Sequence, residues 1–386
     1  MRTWFRRYRR KLRARRMAAR LDAEGCDYRR RFETGGFRLP DADAIGERLR
    51  RRYPGRRPVP KGNLTIGAVF HHYNWERDAL LPSLAAFGRV LHYDWADTGF
   101  VSGDADWYAA GRAAMNRDLC ARIDDWFRTD RPDLIFTYLS GEQITPETAA
   151  WLQQSDVPVV NMYLNDKEYF VGRVRGGHAG GMRDICRYFD LCWTSTRDAL
   201  EKYCVEGAVP VYLPEGANPA IHRPYDVPRD IAVSFVGQCY GRRPEILAAL
   251  EAAGISVTAF GTGWPNGPLP TEDMVRMYSR SRVNLGFSGV ADMDGACCLK
   301  GRDFEVPMSG GLYLTEAHPE LDRWFRVGEE IETYHDTAQL IDKIRCLTAN
   351  PERAEDIRRA GRERALAEHT WEKRFETVFA LMGVCA

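Results

Sequence analysis

The stretch from Lys300 to Glu316, KGRDFEVPMSGGLYLTE, concentrates residues suited to holding a phosphate ester. It follows an apolar, strand-like run and a loop, and it leads into another strand. That places it where open α/β sheets bind ligands, beyond the carboxyl ends of the strands. A helix starting near Arg302 would aim free amides at an anion. Lys300 and Arg302 add positive charge, which suits a diphosphate. Glu305, one turn in, can accept hydrogen bonds from two vicinal ribose hydroxyls, as acidic residues do in dinucleotide sites. The same residues also read as a solvated helix with ordinary Arg302–Glu305 pairing at i,i+3. Upstream, Arg242 and Arg243 follow a strand and the loop from Gly237 to Gly241. Arginine at a helix N-terminus opposes the macrodipole, so a phosphate clamp explains them better than a solvated first turn does.

An attacking hydroxyl needs a base: His, Asp or Glu in reach of its proton. Candidates just past strand-like runs are His71 and His72, Glu142, and Asp166 or Glu168. Asp166 and His72 are the two selected as catalytic, although His71 or His72 could equally orient donor phosphates. His178 lies in the glycine-rich segment GRVRGGHAGG. Gly176-Gly177 and Gly180-Gly181 there could let a loop close over an acceptor, or they could mark a turn-rich connection. Asp104/Asp106 and Asp292/Asp294 have the spacing that holds a divalent cation against a diphosphate. Two isolated pairs fall short of the ligand set a magnesium site needs, so neither a metal nor a resident cofactor is expected. There is no Walker A loop and no nucleophile elbow. Gly237 to Gly241 is not GxGxxG, which argues against a nicotinamide dehydrogenase.

The elements that would position these residues alternate. Strands are predicted at 63–70, 89–95, 133–138, 157–162, 189–194 and 209–213, with helical segments between them, including a broad apolar stripe over 106–128. Residues 214–230 carry four prolines and little periodicity, which reads as a linker. Alternation then restarts with strands at 231–236, 255–260, 282–287 and 311–315, and helices at 242–253, 271–280 and 302–309. Asp336 reads as an N-cap with Gln339 three residues on, and Asn350-Pro351 as another. A last helix starts near Thr370. The pattern predicts two Rossmann-like α/β domains facing across a cleft, at 58–213 and 231–369, joined by a linker at 214–230. Residues 370–386 are predicted to form that helix and the chain's last segment.

The chain has 386 residues and is 44% hydrophobic, enough to bury two such cores. Its net charge of +1 hides an asymmetry. Residues 1–57 hold 20 Lys/Arg against 7 Asp/Glu, so the remainder is net acidic. The first twenty residues contain no acid, and Trp4, Phe5, Tyr8 and Leu12 recur at roughly helical spacing. This basic extension reads as a solvated tail, as an amphipathic helix on an anionic membrane surface, or as a nucleic-acid arm. The acidic body argues against nucleic acid. No run reaches the roughly 18 apolar residues of a membrane span, and no apolar segment follows the arginines as in a secretory signal. The ten cysteines show no zinc-like spacing. Reduced thiols and a cytoplasmic location, with membrane contact at the inner face, are the expectation.

Residues 231–379 resemble the C-terminal domain of glycosyltransferases with the two-domain GT-B fold, and are most similar to the CgeB-like group, often labelled glycosyltransferase family 1. The resemblance rests on FVGQCYGRRPEIL (235–247), KGRDFEVPMSGGLYLTE (300–316) and AGRERALAEHTWEKRF (360–375). PEGANP (214–219) is similar to the Pro-x-Gly-x-Asp linker motif, with Asn218 in place of Asp. The resemblance implies a C-terminal helix, 370–386, that crosses back to the first domain, a nucleotide-diphospho-sugar as donor substrate, bound by Gly237, Arg242, Arg243, Lys300, Arg302, Glu305, Gly310 and Gly311, and a hydroxyl acceptor. Glu305 matches the second glutamate of the Glu-x7-Glu motif of related retaining enzymes, and the first falls on Cys297. The implied function is sugar transfer in polysaccharide, glycolipid or cell-surface glycan synthesis. A non-catalytic binding or assembly protein of the same fold is the alternative.

Overall fold

The computed structural model describes residues 2–290, 293 and 296–386, with side chains from residue 12 onward. It contains two compact units. One comprises Ala23–Pro214 and Arg374–Ala386, and the other comprises residues up to Asp22 with Glu215–Lys373.

The basic N-terminal segment is helical. Helix α1 spans Arg2–Thr34 and α2 spans Ala42–Arg52, the latter capped by Asp41, whose carboxylate accepts the Ala44 amide at 2.8 Å. The side chains of Trp4, Phe5 and Tyr8 lie outside the described residues. Residues 23–57 are built into the first unit. Tyr28, Ile45 and Leu49 are buried, and the Tyr28 hydroxyl donates to Glu206 at 2.8 Å. Tyr53 donates to the buried Asp190 at 2.8 Å, and the same carboxylate accepts the Val159 amide.

The first sheet contains β1 (Leu64–Val69), β2 (Gly88–Tyr93), β3 (Leu134–Thr137), β4 (Val159–Tyr163), β7 (Leu191–Thr194) and β8 (Pro210–Tyr212). A small antiparallel hairpin, β5 (Val174–Arg175) and β6 (His178–Ala179), stands apart from it. The order is β2-β1-β3-β4-β7-β8, and every pair is parallel. The inner strands β3, β4 and β7 are wholly buried, as expected of a parallel sheet covered on both faces, while the edge strands β2 and β8 are partly exposed. Helices α3 (Leu81–Ala85), α4 (Arg112–Thr129), α5 (Pro146–Gln153), α6 (Asp166–Tyr169) and α7 (Leu200–Val205) connect them. Thr145 caps α5 ahead of Pro146 at its first position.

The second unit repeats the plan. Its strands are β9 (Ile231–Val236), β10 (Val257–Phe260), β11 (Ser281–Leu285), β12 (Tyr313–Glu316) and β13 (Glu332–Tyr334), in the parallel order β10-β9-β11-β12-β13. Its helices are α8 (Arg243–Ala252), α9 (Thr271–Arg280), α10 (Arg302–Met308), α11 (Thr337–Ala349) and α12 (Pro351–Glu368). Asp336 caps α11 through the Gln339 amide, as its position predicts. Asn350 instead turns its amide back to the Cys346 carbonyl. Strand β13 was missing from the sequence reading because three residues are too few to show periodicity.

Helix α13 (Trp371–Leu381) returns the chain to the first unit. Phe375 meets Phe136 and Trp193 edge-on at 5.4 and 5.7 Å, and Phe379 meets Phe87 at 5.0 Å. Among the described residues, no helix is long and apolar enough to cross a membrane.

Candidate functional site

In the second unit, Phe260 pairs with Val236, so the loops that leave β9 and β10 start side by side. Gly237 and Gly261 approach so closely that a Cβ on Gly261 would stand 2.3 Å from the Gly237 carbonyl oxygen. The two loops are tied by Cys239 N to Thr262 O at 2.9 Å and by the Trp264 indole to Gly237 O at 2.8 Å.

Two guanidiniums meet at this edge. Arg243, buried on the first turn of α8, donates to the Gln238 carbonyl and the Tyr240 hydroxyl, both at 2.9 Å. Arg302, at the start of α10, has a buried Nε with no partner. Both sit over the ring of Phe235, at 5.2 and 5.3 Å. Gly237 leaves the room for this, since a Cβ there would lie 2.8 Å from Arg302 Nη1. Among the described residues, no carboxylate hydrogen-bonds to either arginine. Burial first, then repulsion by Arg302, pulls Arg243 down to about 10. A bound anion would relieve that repulsion and satisfy the unpartnered donors.

The neighbouring cavity has a volume of about 410 Å³ and is lined by Arg242, Arg243, Ser288, Cys297, Glu316 and His318, among others. Arg242 and Arg243 therefore face it together. Gly237, Lys300, Arg302 and Glu305 do not line it. Lys300 points its ammonium at Cys298 Sγ, at 2.9 Å. Glu305 is 14% exposed and lies 3.8 Å from the ring of the buried His222. The expected free amides of α10 are occupied. Asp303 accepts the Lys300 amide at 2.7 Å, and the Asp303, Phe304 and Glu305 amides bond to the carbonyls of Lys300 and Gly301. Gly310 and Gly311 stand at the amino end of β12, the opposite edge of the sheet from the cavity. Gly310 ends α10 at φ +70°, and a Cβ on Gly311 would meet Val306 and Asn284 at 2.8 Å. Their role is to make a turn and allow close packing, not donor contact.

Glu215, in the PEGANP segment, shares the space beside Gly301 with Glu305. Burial, followed by the Glu305 carboxylate, pushes its carboxyl up to about 8. A folded pKa above the unfolded one contributes stability at low pH that is lost as pH rises toward the folded value. Wild-type melting temperature is therefore expected to fall between about pH 5 and about pH 8 by more than that of Glu215→Gln. Parallel thermal melts of the two proteins check this.

In the first unit, Val69 pairs with Tyr93, so the residues just past β1 and β2 meet. His71 Nδ1 lies 2.8 Å from Oδ1 of Asp94. Asp94 also accepts the His72 and Ala96 amides, both at 3.0 Å, and Arg77 at 2.9 Å. Burial raises this carboxyl, but the bonds from His71, the His72 amide and the Ala96 amide outweigh it and hold Asp94 below its ordinary range. An ionised carboxylate only accepts, so Nδ1 carries a proton, and in the neutral ring Nε2 then presents a lone pair. The ring packs edge-on against Tyr73 at 4.5 Å and beside Trp95 at 5.2 Å. Buried Glu76 holds the following turn by accepting the amides of Tyr73, Asn74 and Trp75.

The two residues selected from sequence are placed differently. His72 accepts the Arg77 amide on Nδ1 at 3.2 Å, which serves the loop. Asp166 is 1% exposed and accepts the Tyr203 hydroxyl at 3.0 Å. Burial pushes it up to about 6, but it is closed off and ties α6 to α7. The glycine-rich segment is pinned. Arg175 bonds to both Glu142 oxygens, at 2.9 and 3.1 Å, and lies 3.8 Å over the Tyr108 ring. A Cβ on Gly181 would stand 1.8 Å from the Tyr169 carbonyl. Only Gly176 and Gly177 form an open turn. Past β3 and β4, a cavity of about 460 Å³ is lined by Tyr73, Tyr138, Tyr163, Tyr169, Glu142 and Asn165, among others. Tyr73 links it to His71.

Asp94, Glu316 and His318 were not singled out from the sequence. Asp94 and Glu316 each fall at or just past the end of an apolar strand, and that position was the available signal. Among the described residues, no three His, Cys, Asp or Glu side chains are grouped to hold a metal. Asp104 and Asp106 are exposed, and Asp292 and Asp294 lie outside the described residues.

Two doubly wound parallel units, with the last helix returned to the first, have the architecture of the GT-B fold. Residues 242–380 match the family described as glycosyl transferase-like. A search of curated protein sequences finds no match. Among solved structures, the chain is similar to sucrose-phosphate synthase from Thermosynechococcus elongatus, at 14% identity and a TM-score of 0.58, over 82% of this chain and 100% of that one. It is also similar to a glycosyltransferase from Rickettsia africae, at 11% identity and a TM-score of 0.56, over 83% and 99%. Anabaena HepE in complex with UDP-glucose matches at 10% identity and a TM-score of 0.54, over 82% and 100%. At these identities the likeness is one of fold.

Proposed function

We propose that the chain is a CgeB-like glycosyltransferase that moves a hexosyl group from a nucleoside-diphosphate sugar to a hydroxyl acceptor, in polysaccharide, glycolipid or cell-surface glycan synthesis. The observation that carries this reading is the pair Arg243 and Arg302, two guanidiniums over one ring, neither hydrogen-bonded to a carboxylate among the described residues. They suit the diphosphate and the charge that grows on it as the glycosidic bond breaks. They supply by side chain what a divalent ion supplies elsewhere, so the reaction is proposed to be metal-independent. The acceptor oxygen bonds to the anomeric carbon as its proton passes to His71 Nε2. The electron pair of the broken bond leaves with the nucleoside diphosphate. Asp94 stabilises the imidazolium that forms. The arginine-rich first twenty residues support a cytoplasmic protein held at the inner face of a membrane.

Calorimetric titration with UDP, GDP, ADP and TDP tests the donor half. One of them is expected to bind, and its sugar conjugate is expected to be slowly hydrolysed. Folded protein that binds none at millimolar concentration would sink the reading. Binding without hydrolysis or transfer would favour a non-catalytic protein of this fold.

A further inference from the structure

The cavity that Arg242 and Arg243 line has a second polar group of residues that the diphosphate does not require. Strand β12 ends there with Glu316. Its Oε2 accepts the Ser288 hydroxyl at 3.1 Å and the Gly289 amide at 3.2 Å, which holds the carboxylate in place. Glu316 is the only acid among the described lining residues. Cys297, the bridge partner of Gly289, lines the same cavity and offers no carboxylate. Two residues on, His318 is 7% exposed, and neither of its ring nitrogens has a partner. Buried polar atoms are almost always satisfied in a working protein, so this imidazole lacks the group it was placed to meet.

We propose that Glu316 and His318 bind the hydroxyls of the sugar being transferred, and that the site takes a neutral sugar and rejects a uronate. This rests on the nucleotide-sugar reading above. A carboxylate accepts from two vicinal hydroxyls and repels a second carboxylate. Burial pulls His318 below its ordinary range. It is therefore neutral near pH 7, with one donor and one acceptor nitrogen. That pairing matches a hydroxyl, which both donates and accepts, better than a phosphate, which only accepts.

The test compares wild type with Glu316→Gln and His318→Gln, each checked for an unchanged thermal melt. Each protein is titrated with the nucleoside diphosphate that wild type binds best, and with its glucose, galactose, mannose and glucuronate conjugates. The diphosphate Kd is expected to change less than about threefold. The ratio of the Kd for the preferred neutral conjugate to the Kd for the diphosphate is expected to rise about 10- to 100-fold in Glu316→Gln, the cost of losing a charged hydrogen bond, and about 2- to 10-fold in His318→Gln, the cost of losing a neutral one. The glucuronate conjugate is expected to bind wild type worst and to be least penalised in Glu316→Gln. If both variants keep the wild-type ratio, the assignment is overturned while the donor reading stands. If wild type binds no nucleoside diphosphate, both fall.

Discussion

Replacing His71 by alanine is expected to lower kcat by about 10²- to 10⁴-fold, the usual contribution of a positioned general base, while leaving nucleoside-diphosphate affinity unchanged. The two effects separate because His71 belongs to the first unit and Arg243 to the second. Asp94→Asn keeps the shape but loses the ionised acceptor that fixes the Nδ1–H tautomer, so it too is expected to lower kcat. It also weakens the hold on Arg77 and on the His72 and Ala96 amides, so it alone should lower thermal stability as well. His72→Ala is expected to retain most activity, and that contrast between adjacent histidines is the sharpest check. Initial-rate kinetics with saturating donor, paired with calorimetry, give both numbers. Equal losses for the two histidines would exclude a base role specific to His71. Base-assisted single displacement also requires inversion at the anomeric carbon, which proton NMR of the product reads directly.

The second large effect is on donor binding. Arg243→Met is expected to weaken nucleoside-diphosphate binding by about 10- to 150-fold, equivalent to roughly 1.5–3 kcal/mol for a charge-assisted hydrogen bond. Its stability should move the other way or not at all. Arg243 is a buried cation whose partners are a carbonyl and a phenol, beside a second guanidinium. Methionine retains an apolar stem near Phe235 and Phe287 while removing the desolvated charge and the repulsion from Arg302. A residue present for stability would show the reverse, with a lowered melting temperature and intact binding. Calorimetry and a thermal melt of the same sample decide between them. Arg242→Met, on an exposed position of the same cavity, is expected to cost less because solvent already screens it.

The order of the elements was legible because parallel strands buried on both faces are continuous apolar runs, such as LTIGAV and IAVSFV, and their ends are marked by glycine and polar residues. The same reasoning pointed to the carboxyl ends of the strands, since residues just past such runs fall there. It named Arg243 and Arg302 as charge where an open sheet receives a ligand, and the structure brings the two together over Phe235. It also singled out the His71-His72 pair but did not separate its members. Gly310 and Gly311 were misplaced because adjacency in sequence to Lys300 and Glu305 says nothing about which sheet edge the chain has reached after a helical turn and a half.

What the linear chain determined here was local: strands, caps such as Asp336, charge at strand ends, and a C-terminal helix. What only the tertiary structure decided was the pairing between distant segments. Asp94 is 23 residues from His71 and becomes its partner only because β1 and β2 are in register at Val69 and Tyr93. Arg302 reaches Phe235 beside Arg243 because Gly237 lacks a Cβ, and Glu316 enters the cavity lined by Arg242 and Arg243 because β12 lies beside β11. Burial likewise turned Asp166 from a candidate base into a closed strut. Side-chain chemistry is written in the sequence, but access, neighbours and ionisation depend on distances that only the folded sheet sets.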